Sequence, residues 1–267
     1  MPASDLPLLI EAARAAGTVA TGFVGKTARR WDKPDGAGPV TEADIAVNDL
    51  LHDTLRAARP DYGWLSEETE DTGDRLTRDK VFIIDPIDGT RSFAEGSDSW
   101  AHAIAVAERG VVTAAVIYLP KRDLLYSAAR GAGAECNGAS IAPSRPDGLA
   151  EAEILTTRPA LAREHWQGDR TPAFRHAYRP SLAYRMALVA QGRFDGMLTL
   201  RPCWEWDIAA GDLILREAGA ACTDRSGAAL VFNNPHPMQN GLIAAGPDIH
   251  ASIATALKPP KRDNPRT

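Results

Sequence analysis

Hydrophobic residues recur with a helical period from Ser4 to about residue 24, through "SDLPLLIEAARAAGTVATG", with Ser4 placed to cap a first helix. Asp5 and Glu11 interrupt its apolar part and no basic segment precedes it, which reads as an amphipathic helix and not a signal peptide. "KPDGAGP" is a loop by composition. "VTEADIAVNDLLHDTLRAA" then sets Val47, Leu50, Leu51 and Leu55 on one helical face. "PDYGWLSEETED" reads as a turn, a short strand and an acidic loop, and Val81–Asp85 as a buried strand. In the middle of the chain "WAHAIAVA", "VVTAAVIYL" and "LLYSAARG" are strand-like, separated by turn residues at Glu108–Gly110 and Pro120–Asp123. That spacing predicts an antiparallel meander, followed by a hairpin turn at Asn137–Gly138. After "PSRPDGLAE", strands ("EILTT", "FDGMLTL", "NGLIAAG") alternate with helices ("SLAYRMALVAQG", "WDIAAGDLILREAGA", "PDIHASIATALK"). The pattern predicts an α/β chain with an α+β first half. It forms one unit, its halves (about 1–146 and 147–258) meeting near residues 143–150, with a charged, Pro-rich tail at 259–267.

Composition narrows the partners. At 44 % hydrophobic and 24 % charged, the 267 residues are ordinary for a globular protein. The net charge of −5 and the lack of a basic stripe argue against a nucleic-acid polymer, while leaving room for a small anion held by local donors. Cys136, Cys203 and Cys222 are far apart and odd in number, which argues against a zinc or disulfide framework and points to a reducing cytoplasm. No run approaches the length of a membrane span.

The candidate chemistry lies in "VFIIDPIDGTRSF". Carboxylates directly after a buried strand are costly unless neutralised. Asp85 and Asp88 sit three apart across a proline turn that can aim both, with the Ile87 carbonyl, at one divalent cation. Gly89 permits close backbone approach, and the Gly89 and Thr90 amides would face a phosphate if a helix starts there. Glu67 and Glu68 follow the apolar "YGWL", and Asp207 opens a helix, so further carboxylates are available. Each feature also has a plain reading: a solvated Asp-Pro/Asp-Gly turn, an acidic loop, an N-cap at Asp207, and a capping box at Thr41 and Asp44.

Taken together, the motifs resemble those of the inositol monophosphatase family of metal-dependent phosphatases. "DPIDGTRSF" resembles its D-P-[IL]-D-G-T-x-x-F, and "WDIAAGDLILREAGA" its W-D-x-A-A-G-x-x-[IL]-x-x-E-A-G-G. "LSEE" and "PVTEAD" resemble its double-glutamate and V-T-x-x-D elements, and "GAGAECNG" its G-A-x-x-N-G hairpin. The likeness runs from about residue 33 to about 246, with departures at Gly38, Pro180 and Ala220. It implies a layered αβαβα sugar-phosphatase-like fold, a homodimer and two to three Mg2+ ions. Glu67, Asp85 and the Ile87 carbonyl would hold the first ion, and Asp85, Asp88 and Asp207 the second. A third would lean on Glu67. Glu67 and Thr90, backed by Asp44, would orient the attacking water and take its proton, while Gly89 and Thr90 hold the phosphoryl oxygens.

The substrate implied is a small phosphorylated metabolite. "LSEE", "DGTRSF" and "EWD" lean toward the 3′(2′),5′-bisphosphate nucleotidase branch, with Arg91 meeting a second phosphate and Ser181, Arg185 and Glu205 as further contacts. Trp204 could shield the site or stack on a base. Inositol 1-phosphate and histidinol phosphate are alternative substrates. A haloacid-dehalogenase-type enzyme is disfavoured because the residue two after Asp85 is Ile87, which cannot act as an acid. A Mg2+-dependent phosphometabolite sensor is the non-enzymatic alternative.

Overall fold

The computed structural model describes residues 5–23, 28–32 and 38–259. Ser4, most of the 33–39 loop and the tail beyond 259 lie outside the described residues. The first helix is α1 (Leu6–Gly22), followed by the short hairpin β1 (Arg30–Asp32) and β2 (Pro39–Thr41) and by α2 (Glu42–Ala58). Val47, Leu51 and Leu55 of the expected α2 face are fully buried. A seven-stranded sheet comes next: β3 (Gly63–Ser66), β4 (Lys80–Asp88), β5 (Ala101–Glu108), β6 (Val111–Leu119), β7 (Leu124–Ala129), β8 (Ala134–Cys136) and β9 (Ala139–Ser140), in that spatial order. The five-residue helix α3 (Thr90–Ala94) lies between β4 and β5. The β5–β6–β7 meander is antiparallel as its alternation predicts, and the β8–β9 hairpin turns at Asn137 and Gly138, both with positive φ.

The second half contributes β10 (Glu153–Leu155), β11 (Arg175–Ala177), α4 (Leu182–Ala190), β12 (Gly196–Thr199) and β13 (Cys203–Trp204). These are followed by α5 (Glu205–Glu217), β14 (Ala221–Thr223), β15 (Met238–Gln239), β16 (Leu242–Ala245) and α6 (Pro247–Ala256). Five of its strands form a mixed sheet of order β11-β10-β12-β16-β14. The strands the sequence did not announce, such as β11 and β14, are three residues long, too short for alternation to register.

Burial fixes the layers. Phe82, Ile84, Ile104 and Val116, on one face of the large sheet, pack on α1 and α2. Ile83, Ala105, Ala115 and Ile117, on its other face, pack on α4 and α5, which also cover Leu155, Met197 and Ala244 of the second sheet. Ile154, Leu198 and Ile243 on the far face of that sheet meet Ile249 and Ile253 of α6. The result is αβαβα. The central helices lie close together: a Cβ at Gly211 on α5 would fall 2.5 Å from the Met186 sulfur of α4.

Candidate active site

The site forms where two strand ends and four helix starts converge. β3 runs parallel to β4 with Ser66 opposite Ile84, and the Glu67 N–H donates to the Ile84 carbonyl. Glu67 and Asp85 therefore leave neighbouring strands at the same end. β4 does not stop at Asp85 as the sequence suggested. It continues to Asp88 through a bulge, pairing Asp85 with Ala103 and Asp88 with Ala101, so one extra residue is squeezed into the strand. The bulge re-aims the two aspartates. Gly89, at φ +100, then turns the chain into α3, and a Cβ there would press on the Ser99 carbonyl at 3.3 Å.

Helices from both halves of the chain close the ring. Asp44 lies in the first turn of α2, Thr90 opens α3, Ser181 caps α4 and Asp207 lies in the first turn of α5. Helix N-termini favour negative charge, so this arrangement partly offsets the acidic cluster. Oxygens of Asp85, Asp88 and Asp207 come within 4.8 Å of one another. Asp88 Oδ2 accepts from the Ser181 hydroxyl at 2.7 Å and from the Ala183 N–H at 2.6 Å. Thr90 Oγ1 lies 3.1 Å from Asp44 Oδ1 and 3.2 Å from the Ile87 carbonyl. Asp44 Oδ2 accepts from the Thr41 N–H at 2.8 Å and from the Thr41 hydroxyl at 2.5 Å.

The electrostatics are those of a site awaiting positive charge. Burial, followed by the charges of Glu67, Asp88, Asp207 and Asp44, pushes the Asp85 carboxyl well above the usual carboxylate range. Burial raises Asp88, opposed by the Ser181 hydrogen bond, and raises Asp207, reinforced by Asp88 and Glu67. Asp44 is pushed up to about 6, chiefly by burial. Asp85 Oδ1 is buried with no hydrogen-bond partner among the described residues. An orphaned carboxylate oxygen beside two more carboxylates is the donor set a hard dication takes, so these residues fit Mg2+.

A cavity of about 430 Å³ opens over this cluster, and Glu67, Asp85, Ile87, Asp88 and Asp207 line it. Gly89, Thr90, Arg91, Ser181 and Arg185 line it as well. Asp44 sits behind Thr90, as expected. Glu205 does not belong to the site. It is fully buried, and its carboxylate accepts from the Asn233 N–H at 2.6 Å, the Asn234 N–H at 3.1 Å and the Asn234 side-chain amide at 2.6 Å. Trp204 stacks on Trp206, ring centroids 4.6 Å apart, and is not part of the cavity wall. Tyr178 and Arg201, which no sequence motif marks, line the cavity as well. They lie in loops, where no periodicity marks a side chain.

Known proteins resemble this chain in sequence and fold. The chain is 34 % identical over 227 residues to an inositol-1-monophosphatase of Rhizobium meliloti (strain 1021), covering 82 % of this chain and 81 % of that protein. It is 33 % identical over 270 residues to a histidinol-phosphatase of Mycobacterium tuberculosis (strain ATCC 25618 / H37Rv), covering 96 % and 99 %. The solved structure of a Thermotoga maritima IMPase superposes with a TM-score of 0.79 at 29 % identity, covering 93 % of this chain and 94 % of that one. The sequence profile of the inositol monophosphatase family matches residues 3–260, and with the acidic cluster, fold and relatives in agreement, the chain belongs to that family.

Proposed function

We propose that this phosphatase hydrolyses a 3′(2′),5′-bisphosphate nucleotide, drawing on two to three Mg2+ ions and a water nucleophile. The family is one of Mg2+-dependent phosphoric monoester hydrolases acting on small phosphorylated substrates. Glu67, Asp85 and the Ile87 carbonyl would hold one ion, Asp85, Asp88 and Asp207 a second, and Glu67 would help with a third. Bound Mg2+ supplies water of lowered pKa and neutralises phosphoryl charge. Glu67 and Thr90 orient the water. Thr90 accepts a hydrogen bond from it while donating its own to Asp44, whose buried carboxylate is the proton acceptor. The Gly89 and Thr90 amides receive the phosphoryl oxygens. The observation that carries this reading is the meeting of Asp85, Asp88 and Asp207 beside the Thr90–Asp44 pair.

The nucleotide reading rests on Arg91, on Arg185 and on the room beside the carboxylates. Glu205 lends it no support. Inositol 1-phosphate is the second reading, favoured by the Rhizobium meliloti relative, and histidinol phosphate the third, favoured by the Mycobacterium tuberculosis one. A panel of these esters with Mg2+ ranks them by kcat/KM, and a chain that binds them without turnover is a sensor. Glu67→Gln should lower kcat more than it weakens phosphate binding. Weakened binding at unchanged kcat would move the water-orienting role elsewhere. A homodimer belongs to the same proposal and is measured by sedimentation. So does a cytoplasmic setting, which three free, buried cysteines suit.

A further inference from the structure

Asp44 has a companion on α2. Asn48 lies one helical turn further on, on the same face, and is also buried. Its Oδ1 accepts two hydrogen bonds, from the Ser66 hydroxyl at 2.8 Å and from the Thr69 hydroxyl at 3.2 Å. His52, a turn beyond, meets the Trp64 ring edge-on with centroids 5.0 Å apart.

The surrounding donors fix the direction of both bonds to Asn48. An indole nitrogen can only donate, and Trp64 Nε1 donates to Thr69 Oγ1 at 3.1 Å, which leaves the Thr69 proton for Asn48. The Glu68 N–H likewise donates to Ser66 Oγ at 3.4 Å and leaves the Ser66 proton for Asn48. One amide oxygen, with two lone pairs, thus ties down both ends of the turn 66–69. The Thr69 N–H closes the same turn on the Ser66 carbonyl at 3.4 Å. Glu67 and Glu68 lie between the two pinned ends.

That turn works against its own charge. Glu67 lines the carboxylate cavity, and its charge is among those that push up the Asp85 carboxyl. Like charge drives the turn away from the cluster until a cation binds. An asparagine at position 48 resists that push without adding an anion of its own.

We propose that Asn48 is a positioning residue: its amide oxygen holds Ser66 and Thr69, and through them sets Glu67 against the Asp85–Asp88–Asp207 cluster before any ion arrives. With Asp44 holding Thr90, one face of α2 then fixes the spacing of both groups that orient the water. The inference rests on the phosphatase reading above and adds the residue that preorganises its Glu67.

The test measures the apparent Mg2+ Kd by titration calorimetry, together with kcat and KM at saturating Mg2+ for inositol 1-phosphate and adenosine 3′,5′-bisphosphate. The proteins are the wild type, Asn48→Leu, Ser66→Ala/Thr69→Val and Thr69→Ser. Thr69 is exposed and Ser66→Ala deletes only a hydroxyl, so the paired variant should fold even if Asn48→Leu does not. Asn48→Leu and the paired variant should raise the Mg2+ Kd and lower kcat, each by about 10- to 100-fold, with the ester KM within about twofold. Thr69→Ser keeps the hydroxyl and should stay within about twofold of the wild type in all three. Neither Kd nor KM depends on the fraction of active protein, so a general loss of folded enzyme does not imitate this pattern. A lowered Tm with unchanged Mg2+ Kd in the paired variant overturns the positioning role and leaves the phosphatase reading standing. So does a Thr69→Ser protein as impaired as the paired variant. A wild type that binds Mg2+ but turns over neither ester overturns the phosphatase reading, while the Kd series still decides for or against Asn48.

Discussion

Asp44 and Thr90, 46 residues apart in the chain, meet through a hydrogen bond of 3.1 Å from the Thr90 hydroxyl to Asp44 Oδ1. The other oxygen of Asp44 is already committed to Thr41, closing the first turn of α2. The capping box and the catalytic reading of V-T-x-x-D therefore describe one carboxylate with two oxygens, one used for each job. Asp44→Asn should keep much of the cap and lose the proton acceptor. Thr90→Val should lose the link while nearly conserving volume. Both are expected to lower kcat by roughly 100-fold or more, the upper part of the general acid–base range, with Thr90→Ser close to wild type. Steady-state kinetics at saturating Mg2+ checks this. A Thr90→Val enzyme at full kcat would remove Thr90 from the water path.

Ser181 accounts for the geometry of Asp88. Its hydroxyl accepts from the Tyr184 N–H at 3.0 Å as the cap of α4 and donates to Asp88 Oδ2, while the residue sits at φ +67. Oδ2 is thus fully occupied by Ser181 and Ala183, and Oδ1 is the oxygen left for an ion. Asp88→Asn should abolish turnover to below about 1 % with the fold intact, since it removes a charged ligand. Ser181→Ala should lose about 1 kcal/mol of stability from the cap and raise the Mg2+ concentration at half-maximal rate by about tenfold. Titrating rate against Mg2+ separates the two: Asp88→Asn is not rescued by excess metal, whereas Ser181→Ala is.

The raised pKa values of Asp85, Asp88 and Asp207 make metal-free stability depend on pH. Each group holds its proton more tightly in the folded chain than in the unfolded one. The stability this contributes is present in full below the ordinary carboxylate pKa and is lost as pH rises through the elevated values. Mg2+ replaces those protons. In EDTA, Tm should therefore fall as pH rises from about 6.5 to 8, above the range in which His102 titrates, and added Mg2+ should raise Tm more at pH 8 than at pH 6.5. At 100 times Kd the ion stabilises by about 2.7 kcal/mol. Thermal melts in a matched-buffer series measure both trends, and an equal Mg2+ effect at the two pH values would place the binding site outside this cluster.

Much of the site was legible because D-P-I-D-G-T is local. Asp85, Asp88, Gly89 and Thr90 are held by one bulge and one turn, and residue types at fixed spacing report such geometry directly. Convergence with Asp207 was not legible from physics alone, since it depends on how α4 and α5 pack between two sheets; the family likeness supplied it. Glu205 shows where reading by proximity in sequence fails. It sits two residues before Asp207 on the same helix, which turns it roughly 200° away. The carboxylate that reads as a neighbour of the site instead clamps Asn233 and Asn234. There the guanidinium of Arg75, also buried, reaches Asn233 Oδ1 at 2.6 Å and the Asn234 carbonyl at 2.9 Å. The layered fold was legible in its alternation of strands and helices, but the three-residue strands at the edges of the second sheet carried no period to read.

His102 supports the same bulge from beneath. It is fully buried, between Trp100 and Tyr118, and its Nδ1–H donates to the carbonyl of Pro86, the residue between the two metal-facing aspartates' turn positions. Its Nε2 has no hydrogen-bond partner among the described residues. Burial holds the ring neutral, lowering its pKa to about 4, while the Pro86 hydrogen bond opposes the shift. Because the folded value lies below the unfolded one, the unfolded chain binds the proton more readily. The stability involved is present in full above about pH 6.5 and is lost as pH falls toward 4. The loss is on the order of 3 kcal/mol, the free energy of moving the pKa from 6.5 to about 4. His102→Asn keeps a donor for Pro86 and cannot charge, so its urea-unfolding free energy should fall less steeply than the wild type's between pH 6.5 and 4.5. His102→Leu lacks the donor, and should share the flatter acid limb while leaving the Pro86 carbonyl unpaired and the protein less stable at neutral pH by about 1–3 kcal/mol. Parallel acid limbs in all three proteins would assign the acid sensitivity to other groups.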